Sequence, residues 1–182
     1  MDTVKEMLEF NKKFVEDEGY KEFEATVFPD KGVVIVTCMD SRLVELLPKA
    51  LGIKNGEVKM VKNAGGVVAD PFSTAMRSIL VTVYEFDVKD VLIIGHEKCG
   101  MAVVDKGYVL DKMTEKGIKE ETIDTIINSG IDIKGWLAGF DDLDESVRDS
   151  VKIVKNHPLL HKDVRVTGMV IDPETGKLRI VE

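Results

Sequence analysis

The pattern of apolar positions along the chain predicts alternating strands and helices. Continuous apolar runs at residues 33–37 and 91–94 are typical of strands that are covered on both faces, as in parallel sheets. A further strand is predicted at residues 58–61. Elsewhere, apolar residues recur at helical spacing, which predicts helices at residues 43–51, 73–86, 103–113, 119–127 and 145–155.

The two ends of the chain extend this pattern. Apolar residues at helical spacing over residues 4–17 predict an amphipathic helix, so that residues 1–25 form a helical arm. This arm packs either on its own domain or on a second subunit, and the pattern is compatible with both. Residues 164–171 and 178–181 predict a hairpin, because a turn-forming Pro and Gly lie between them.

These elements together predict the fold class. Strands that alternate with helices imply right-handed βαβ units. We therefore expect a single α/β domain over residues 1–182, with a mostly parallel central β-sheet flanked by helices and an antiparallel C-terminal edge strand.

Composition narrows the class of protein. The 182 residues are 44% hydrophobic and 32% charged, which is ordinary for a soluble globular domain. The net charge of −8 argues against a general nucleic-acid binder, whose surface would be basic. No apolar run approaches the ~18 residues of a membrane span, and the first residues lack the layout of a signal peptide. We expect a cytoplasmic protein without a nucleic-acid or membrane partner.

Candidate metal ligands follow two of the predicted strands. Cys38 comes directly after the first apolar run, and His96 and Cys99 follow the third predicted strand. Because parallel sheets bind ligands at the carboxyl ends of their strands, we expect these side chains to lie near one another and near Asn63. Two thiolates and one imidazole match the ligand set of a catalytic zinc, which keeps its fourth position open. We therefore expect one Zn²⁺ per chain.

The two cysteines also have other interpretations. A cysteine after a strand is often a small buried apolar residue. A disulfide between Cys38 and Cys99 is an alternative, although a reducing cytoplasm rarely keeps one. A thiol redox protein is less favoured, because the cysteines are far apart in the sequence and do not form a Cys-x-x-Cys motif.

Three short motifs surround the candidate ligands. They are Cys38-Met39-Asp40-Ser41-Arg42, Lys62-Asn63-Ala64-Gly65-Gly66 and His96-Glu97-Lys98-Cys99-Gly100. In this order they resemble the Cys-x-Asp-x-Arg, Asn-Ala-Gly and His-x-x-Cys-Gly segments of the β-class carbonic anhydrases, and of their short archaeal and bacterial clade in particular. Glu97 and Lys98 depart from the family, since many members have a small hydroxyl residue and then Asp there. Lys62 stands where Arg is common.

The resemblance implies an activity and an assembly. The activity is the reversible, zinc-dependent hydration of carbon dioxide to bicarbonate and a proton, and the assembly is a homodimer or a larger homo-oligomer. Two alternatives remain open. Some relatives hydrolyse carbon disulfide, and a zinc-binding regulatory protein without turnover would share the same motifs.

Asp40 and Arg42 are the predicted catalytic residues. Two positions apart on an extended chain, their side chains can form a forked ion pair. The carboxylate of Asp40 would then accept a hydrogen bond from the attacking water. The resemblance implies a second, closed state in which Asp40 itself binds the metal.

Two further groups of residues have competing interpretations. Asn63, Gly65 and Gly66 are predicted to shape the substrate pocket, although a tight turn that needs glycine explains them equally well. His157 and His161 have the spacing of a metal-binding pair on a helix, but the proline between them breaks such a helix. We expect both histidines to be surface or loop residues.

Overall fold

The computed structural model describes residues 2–103 and 107–182. Within these ranges the chain forms a five-stranded sheet with the order β2-β1-β3-β4-β5. Neighbouring strands are parallel, except that β5 runs antiparallel to β4 at one edge. The predicted fold class is therefore confirmed. The strands are β1 (Val33–Cys38), β2 (Val58–Asn63), β3 (Asp90–His96), β4 (Arg165–Ile171) and β5 (Leu178–Ile180).

The helices lie on both faces of this sheet and beyond it. Part of the predicted helix over residues 103–113 falls at residues 104–106, outside the described residues, and the helix observed there begins at Tyr108. The short helix α6 was not predicted. The α-helices in the described ranges are α1 (Thr3–Glu16), α2 (Leu43–Ala50), α3 (Thr74–Phe86), α4 (Tyr108–Glu115), α5 (Glu120–Asn128), α6 (Ile133–Leu137) and α7 (Leu143–Lys155).

Polar side chains mark where the two sheet-covering helices begin. At the start of α3, the hydroxyl of Ser73 accepts a hydrogen bond from the backbone nitrogen of Met76. At the start of α7, the carboxylate of Asp142 accepts one from the backbone nitrogen of Glu145, 2.8 Å away. These bonds satisfy backbone donors that have no partner inside the helix.

Alternate residues of β1 contribute to two separate apolar cores. Val34 and Val36 belong to the core that α3 and α7 cover, whereas Val33 and Ile35 belong to the core under α2. The strand is therefore covered on both faces, as its continuous apolar sequence predicts. The candidate ligands Cys38 and His96 lie at the carboxyl ends of the strands, where these two apolar cores end.

The amino-terminal helix α1 packs weakly on the rest of its own chain. None of the residues from Thr3 to Glu16 is buried in the described structure. The helix contacts the 3-10 segment Gly19–Phe23, where Phe14 and Phe23 have ring centroids 6.3 Å apart. Across the described residues, no helix combines the length and apolar character that crossing a bilayer needs.

Candidate metal centre

Three neighbouring strands, β2, β1 and β3, bring the predicted ligands together. Cys38 ends β1, His96 ends β3 and Asn63 ends β2, and β1 lies between the other two strands. Cys99 follows His96 after a loop of two residues. The ligand atoms of Cys38, His96 and Cys99 all lie within 4.8 Å of one another, and all three residues are buried. Residues that are 58 and 61 positions apart in the sequence thus form one cluster, as expected.

The two sulfur atoms have the spacing that a tetrahedral metal requires. Cys38 Sγ and Cys99 Sγ are 3.9 Å apart, and both cysteines are free. This distance is far longer than a disulfide bond of ~2.05 Å. Two thiolates that each bind zinc at ~2.3 Å in tetrahedral geometry lie roughly 3.8 Å apart. The observed sulfur positions therefore fit a zinc ion closely.

His96 presents one ring nitrogen to this cluster. Its Nδ1 lies 2.9 Å from the carbonyl oxygen of Glu97, and we assign the ring proton to this donor. In the neutral ring the other nitrogen, Nε2, is then an unprotonated acceptor, and it is buried without a hydrogen-bond partner in the described structure. A buried polar atom rarely stays unsatisfied. Its lone pair therefore fits the role of the third metal ligand.

The ionisation of the two thiols is coupled. A hydrogen bond from Cys99 lowers the pKa of Cys38, against the effect of burial. The same contact, together with burial, raises the pKa of Cys99. The cluster on its own thus holds one thiolate and one thiol, so that binding of a divalent cation requires release of the remaining proton.

Asp40 and Arg42 form the predicted forked ion pair beside the cluster. Arg42 Nε donates to Asp40 Oδ1 at 3.0 Å, and Nη2 donates to Oδ2 at 2.8 Å. The backbone nitrogen of Arg42 also donates to Oδ1. Hydrogen bonding from Arg42 lowers the pKa of Asp40 to about 2, although partial burial opposes it. Oδ2 of this fixed carboxylate lies 3.8 Å from His96 Nε2.

The loop between the two downstream ligands is held from several sides. Arg42 Nη2 donates to the backbone oxygen of Lys98 at 3.0 Å, so the same guanidinium contacts Asp40 and this loop. Lys98 has a left-handed backbone with a φ of 53°. Its ammonium group pairs with Glu174, and Glu97 pairs with Arg179 at 3.0 Å. The sequence motif gave no indication of these contacts, because the partners lie 76 and 82 residues away.

The glycine segment after β2 is a tight turn against the first ligand strand. Gly65 and Gly66 have positive φ angles of 83° and 68°. A methyl group on Gly66 would lie 2.7 Å from the backbone nitrogen of Cys38. The side-chain amide of Asn63 closes the turn through two hydrogen bonds with the backbone of Val67, at 2.7 and 3.0 Å. These residues are therefore required by the turn itself.

Apolar side chains lie next to this turn. A methyl group on Gly65 would be 3.3 Å from the ring of Phe140 and 3.5 Å from the side chain of Met101. Phe140 and Met101 also pack against the core that contains Cys38 and Cys99. The cluster thus has an apolar wall on the side of the glycine turn.

Comparison with known proteins identifies the family. The sequence profile of the carbonic anhydrases matches residues 33–178. The chain belongs to the carbonic anhydrase family. The "Putative carbonic anhydrase YvdA" of Bacillus subtilis (strain 168) is 49% identical over all of this chain and 92% of its own length. A carbon disulfide hydrolase of Acidianus sp. (strain A1-3) is 32% identical over 97% of this chain and 89% of its own length.

A solved structure specifies the class within this family. The crystal structure of β-carbonic anhydrase isoform I from Trichomonas vaginalis matches with a TM-score of 0.89 and 31% identity, covering 100% of this chain and 98% of that one. The predicted resemblance to the β-class carbonic anhydrases is therefore confirmed. This membership also argues against a thiol redox protein.

The two remaining histidines lie outside the cluster of this β-carbonic anhydrase. His157 is in a loop, as predicted, but it is buried rather than at the surface. Its Nε2 lies 2.9 Å from the carbonyl oxygen of Pro71, and its Nδ1 accepts a hydrogen bond from the backbone nitrogen of Leu159. The sequence could not show the contact with Pro71, which is 86 positions away. His161 is exposed.

Proposed function

We propose that this chain hydrates carbon dioxide reversibly to bicarbonate and a proton, with one Zn²⁺ held by Cys38, His96 and Cys99. The buried and unpartnered Nε2 of His96, next to two thiols at the spacing of zinc ligands, is the observation that carries the proposal. When bound, Zn²⁺ acts as a Lewis acid and lowers the pKa of a coordinated water molecule. With three protein ligands, a bound Zn²⁺ would have room for that water molecule.

Asp40 orients the attacking water in this proposal. With a pKa of about 2 the carboxylate is ionised at neutral pH, so Oδ2 can only accept a hydrogen bond. Arg42 fixes the direction of this acceptor through its forked contact. We also propose a closed state, in which Asp40 would leave Arg42 and would itself serve as a metal ligand. The pairing of Asp40 with Arg42 supports the open state of this proposal.

Asn63, Gly65 and Gly66 shape the substrate pocket indirectly. The absence of a side chain at Gly65 lets Phe140 and Met101 approach the turn, which supplies an apolar surface for a small apolar substrate. Carbon disulfide is a second such substrate, and a relative named for its hydrolysis is 32% identical to this chain. The greater identity of 49% to a protein named as a carbonic anhydrase favours carbon dioxide.

We further propose that the chain works as a homodimer or larger homo-oligomer in the cytoplasm. Exposed apolar residues on α1, among them Met7 and Leu8, favour burial against a second copy. A reducing compartment would keep Cys38 and Cys99 available as ligands. The acidic net charge of −8 does not favour nucleic acid as a partner.

The proposal is tested by measuring metal content and turnover on the same purified protein. We expect one zinc per chain, carbon dioxide hydration at pH 7 and pH 9, and much slower turnover of carbon disulfide. Arg42→Ala should lower the hydration rate at least tenfold while zinc stays bound, because the direction of Asp40 is lost. Native protein without zinc, or zinc-loaded protein without hydration at either pH, would overturn the proposal.

A further inference from the structure

The loop that joins His96 to Cys99 contains a strained residue with a charged side chain. Lys98 has a left-handed backbone with a φ of 53°, which costs a side-chain-bearing residue energy that glycine does not incur. Its side chain is exposed, but it reaches Glu174 in the turn between β4 and β5. The ion pair thus holds the strained loop against the C-terminal hairpin.

Glu97 makes a second connection from the same loop to the same hairpin. Its carboxylate pairs with Arg179 of β5 at 3.0 Å. Arg179 also forms a fork with Asp144 at the start of α7, with contacts of 2.6 and 2.8 Å. The backbone nitrogen of Glu97 donates to Ile171 at the end of β4, at 3.0 Å. Both residues between the ligands are therefore tied to elements far away in the sequence.

We propose that Glu97 and Lys98 are positioning residues, whose ion pairs with the β4–β5 hairpin hold Cys99 in place and slow the release of the metal. This inference rests on the proposed zinc site. Among the described residues, the side chains of Glu97 and Lys98 form ion pairs with the hairpin and not with the ligand cluster. Both residues therefore act through the backbone of the loop. Arg42 contributes to the same effect, because it donates to the backbone oxygen of Lys98.

Charge alone makes the opposite prediction for Lys98, which allows a decisive test. If the ammonium group only repelled the dication, Lys98→Met would retain zinc longer than the wild type. If Lys98 positions the loop, Lys98→Met releases zinc faster, because the backbone strain stays and the ion pair with Glu174 is gone. Lys98→Arg, which keeps the charge and the reach, should restore the slow rate.

The experiment measures the rate at which zinc passes from the loaded full-length protein to an excess of a chromogenic chelator. We expect Lys98→Met, Glu174→Gln and Glu97→Gln each to raise this rate about two- to fivefold at low ionic strength, the size expected for one exposed ion pair. The double variant Lys98→Met with Glu174→Gln should be no faster than either single variant. Salt near 1 M should raise the wild-type rate toward that of the variants.

A matched control and a spectroscopic readout separate positioning from general destabilisation. Lys155→Met breaks the pair between Lys155 of α7 and Glu182, which is also at the surface although its side chains are less exposed than those of Lys98 and Glu174. It should leave the release rate unchanged. With Co²⁺ in place of zinc, Lys98→Met should shift the visible absorption bands, whereas Lys155→Met and Lys98→Arg should not.

The outcomes distinguish this inference from the proposed function. Wild-type protein that binds no zinc would overturn the proposed site itself. Wild-type protein that binds zinc, with Lys98→Met and Glu97→Gln variants that release it at the wild-type rate or more slowly, would overturn only the positioning role.

Discussion

At the scale of single residues, Gly66 carries the tightest steric constraint around the ligand strand. A methyl group on it would lie 2.7 Å from the backbone nitrogen of Cys38, and its φ is 68°. Gly52 has a similar φ of 63°, but a methyl group there would meet nothing within 4 Å. Alanine at either position costs ~1–2 kcal/mol for the left-handed backbone. In Gly66→Ala alone, the contact with Cys38 adds about 1–3 kcal/mol.

Urea denaturation of the two variants checks this difference. We expect Gly66→Ala to have a lower free energy of unfolding than Gly52→Ala, and to bind zinc more weakly because Cys38 is displaced. Equal unfolding free energies would show that the turn can move away from β1, and that the glycine is not required there.

The role of Arg42 can be separated from its effect on the pKa of Asp40. Hydrogen bonding from Arg42 lowers this pKa to about 2. Without Arg42, the pKa of Asp40 should return toward the ordinary value of about 3.9, so the carboxylate remains ionised at pH 7. The loss of activity in Arg42→Ala should therefore come from lost orientation, and a hydration deficit of ten- to a hundredfold should persist from pH 7 to pH 9.

Stopped-flow hydration assays with a pH indicator measure this profile. Arg77→Ala, at an exposed position of α3, serves as the control and should match the wild type at both pH values. Recovery of Arg42→Ala toward the wild-type rate at the higher pH would contradict an orienting role, since it would point to ionisation as the defect.

At the scale of secondary-structure elements, α7 depends on its capping residue. Asp142 accepts a hydrogen bond from the backbone nitrogen of Glu145 at 2.8 Å. Asp142→Ala should lower the free energy of unfolding by about 1 kcal/mol. Asp141→Ala is the neighbouring control and should change it by less than ~0.5 kcal/mol, because exposed positions away from such contacts tolerate substitution. Thermal unfolding by circular dichroism would detect the difference, and an equal change in both variants would argue against the cap.

The sequence predicted a strand or helix correctly where a strong pattern of apolar residues marks it. The apolar runs of β1 and β3 predicted strands, because short runs of consecutive apolar residues are typical of strands that are covered on both faces. The short helix α6 was missed, since a five-residue segment such as Ile133–Leu137 is too short for a periodic signal and depends on its surroundings.

In the candidate site, too, the sequence predicted some features and could not predict others. Cys38, His96 and Cys99 could be predicted because parallel strands bring their carboxyl ends to one edge. The contacts of Glu97 with Arg179 and of Lys98 with Glu174 could not, because they depend on the register of the hairpin and on side-chain conformations. Local motifs thus predict the candidate ligands, whereas the contacts of the loop between them depend on distant residues.

At the scale of the whole molecule, α1 is a long helix whose apolar residues the described part of its own chain leaves uncovered. The side chains of Met7, Leu8 and Phe10 are 66%, 64% and 72% exposed, whereas the apolar residues of the two cores beside the sheet are buried. Apolar helix surface of this kind is stabilised by burial against a partner at ~25 cal/mol per Å². We therefore expect α1 to pack on a second copy of the chain, while each copy keeps its own core.

A single charge on this surface tests that assembly. Leu8→Glu should raise the dissociation constant of the oligomer at least tenfold, since burying one leucine contributes about 1.5–3 kcal/mol and a buried carboxylate adds a penalty. Lys5→Glu places the same side chain at another exposed position of α1 and should leave assembly nearly unchanged. Sedimentation velocity over a concentration series measures both.

Because none of the residues of α1 is buried within its own chain, Leu8→Glu should dissociate the oligomer into folded subunits that retain the apolar core. A wild-type protein that sediments as a monomer at micromolar concentration, or a Leu8→Glu variant that assembles as well as Lys5→Glu, would show that α1 has no such partner.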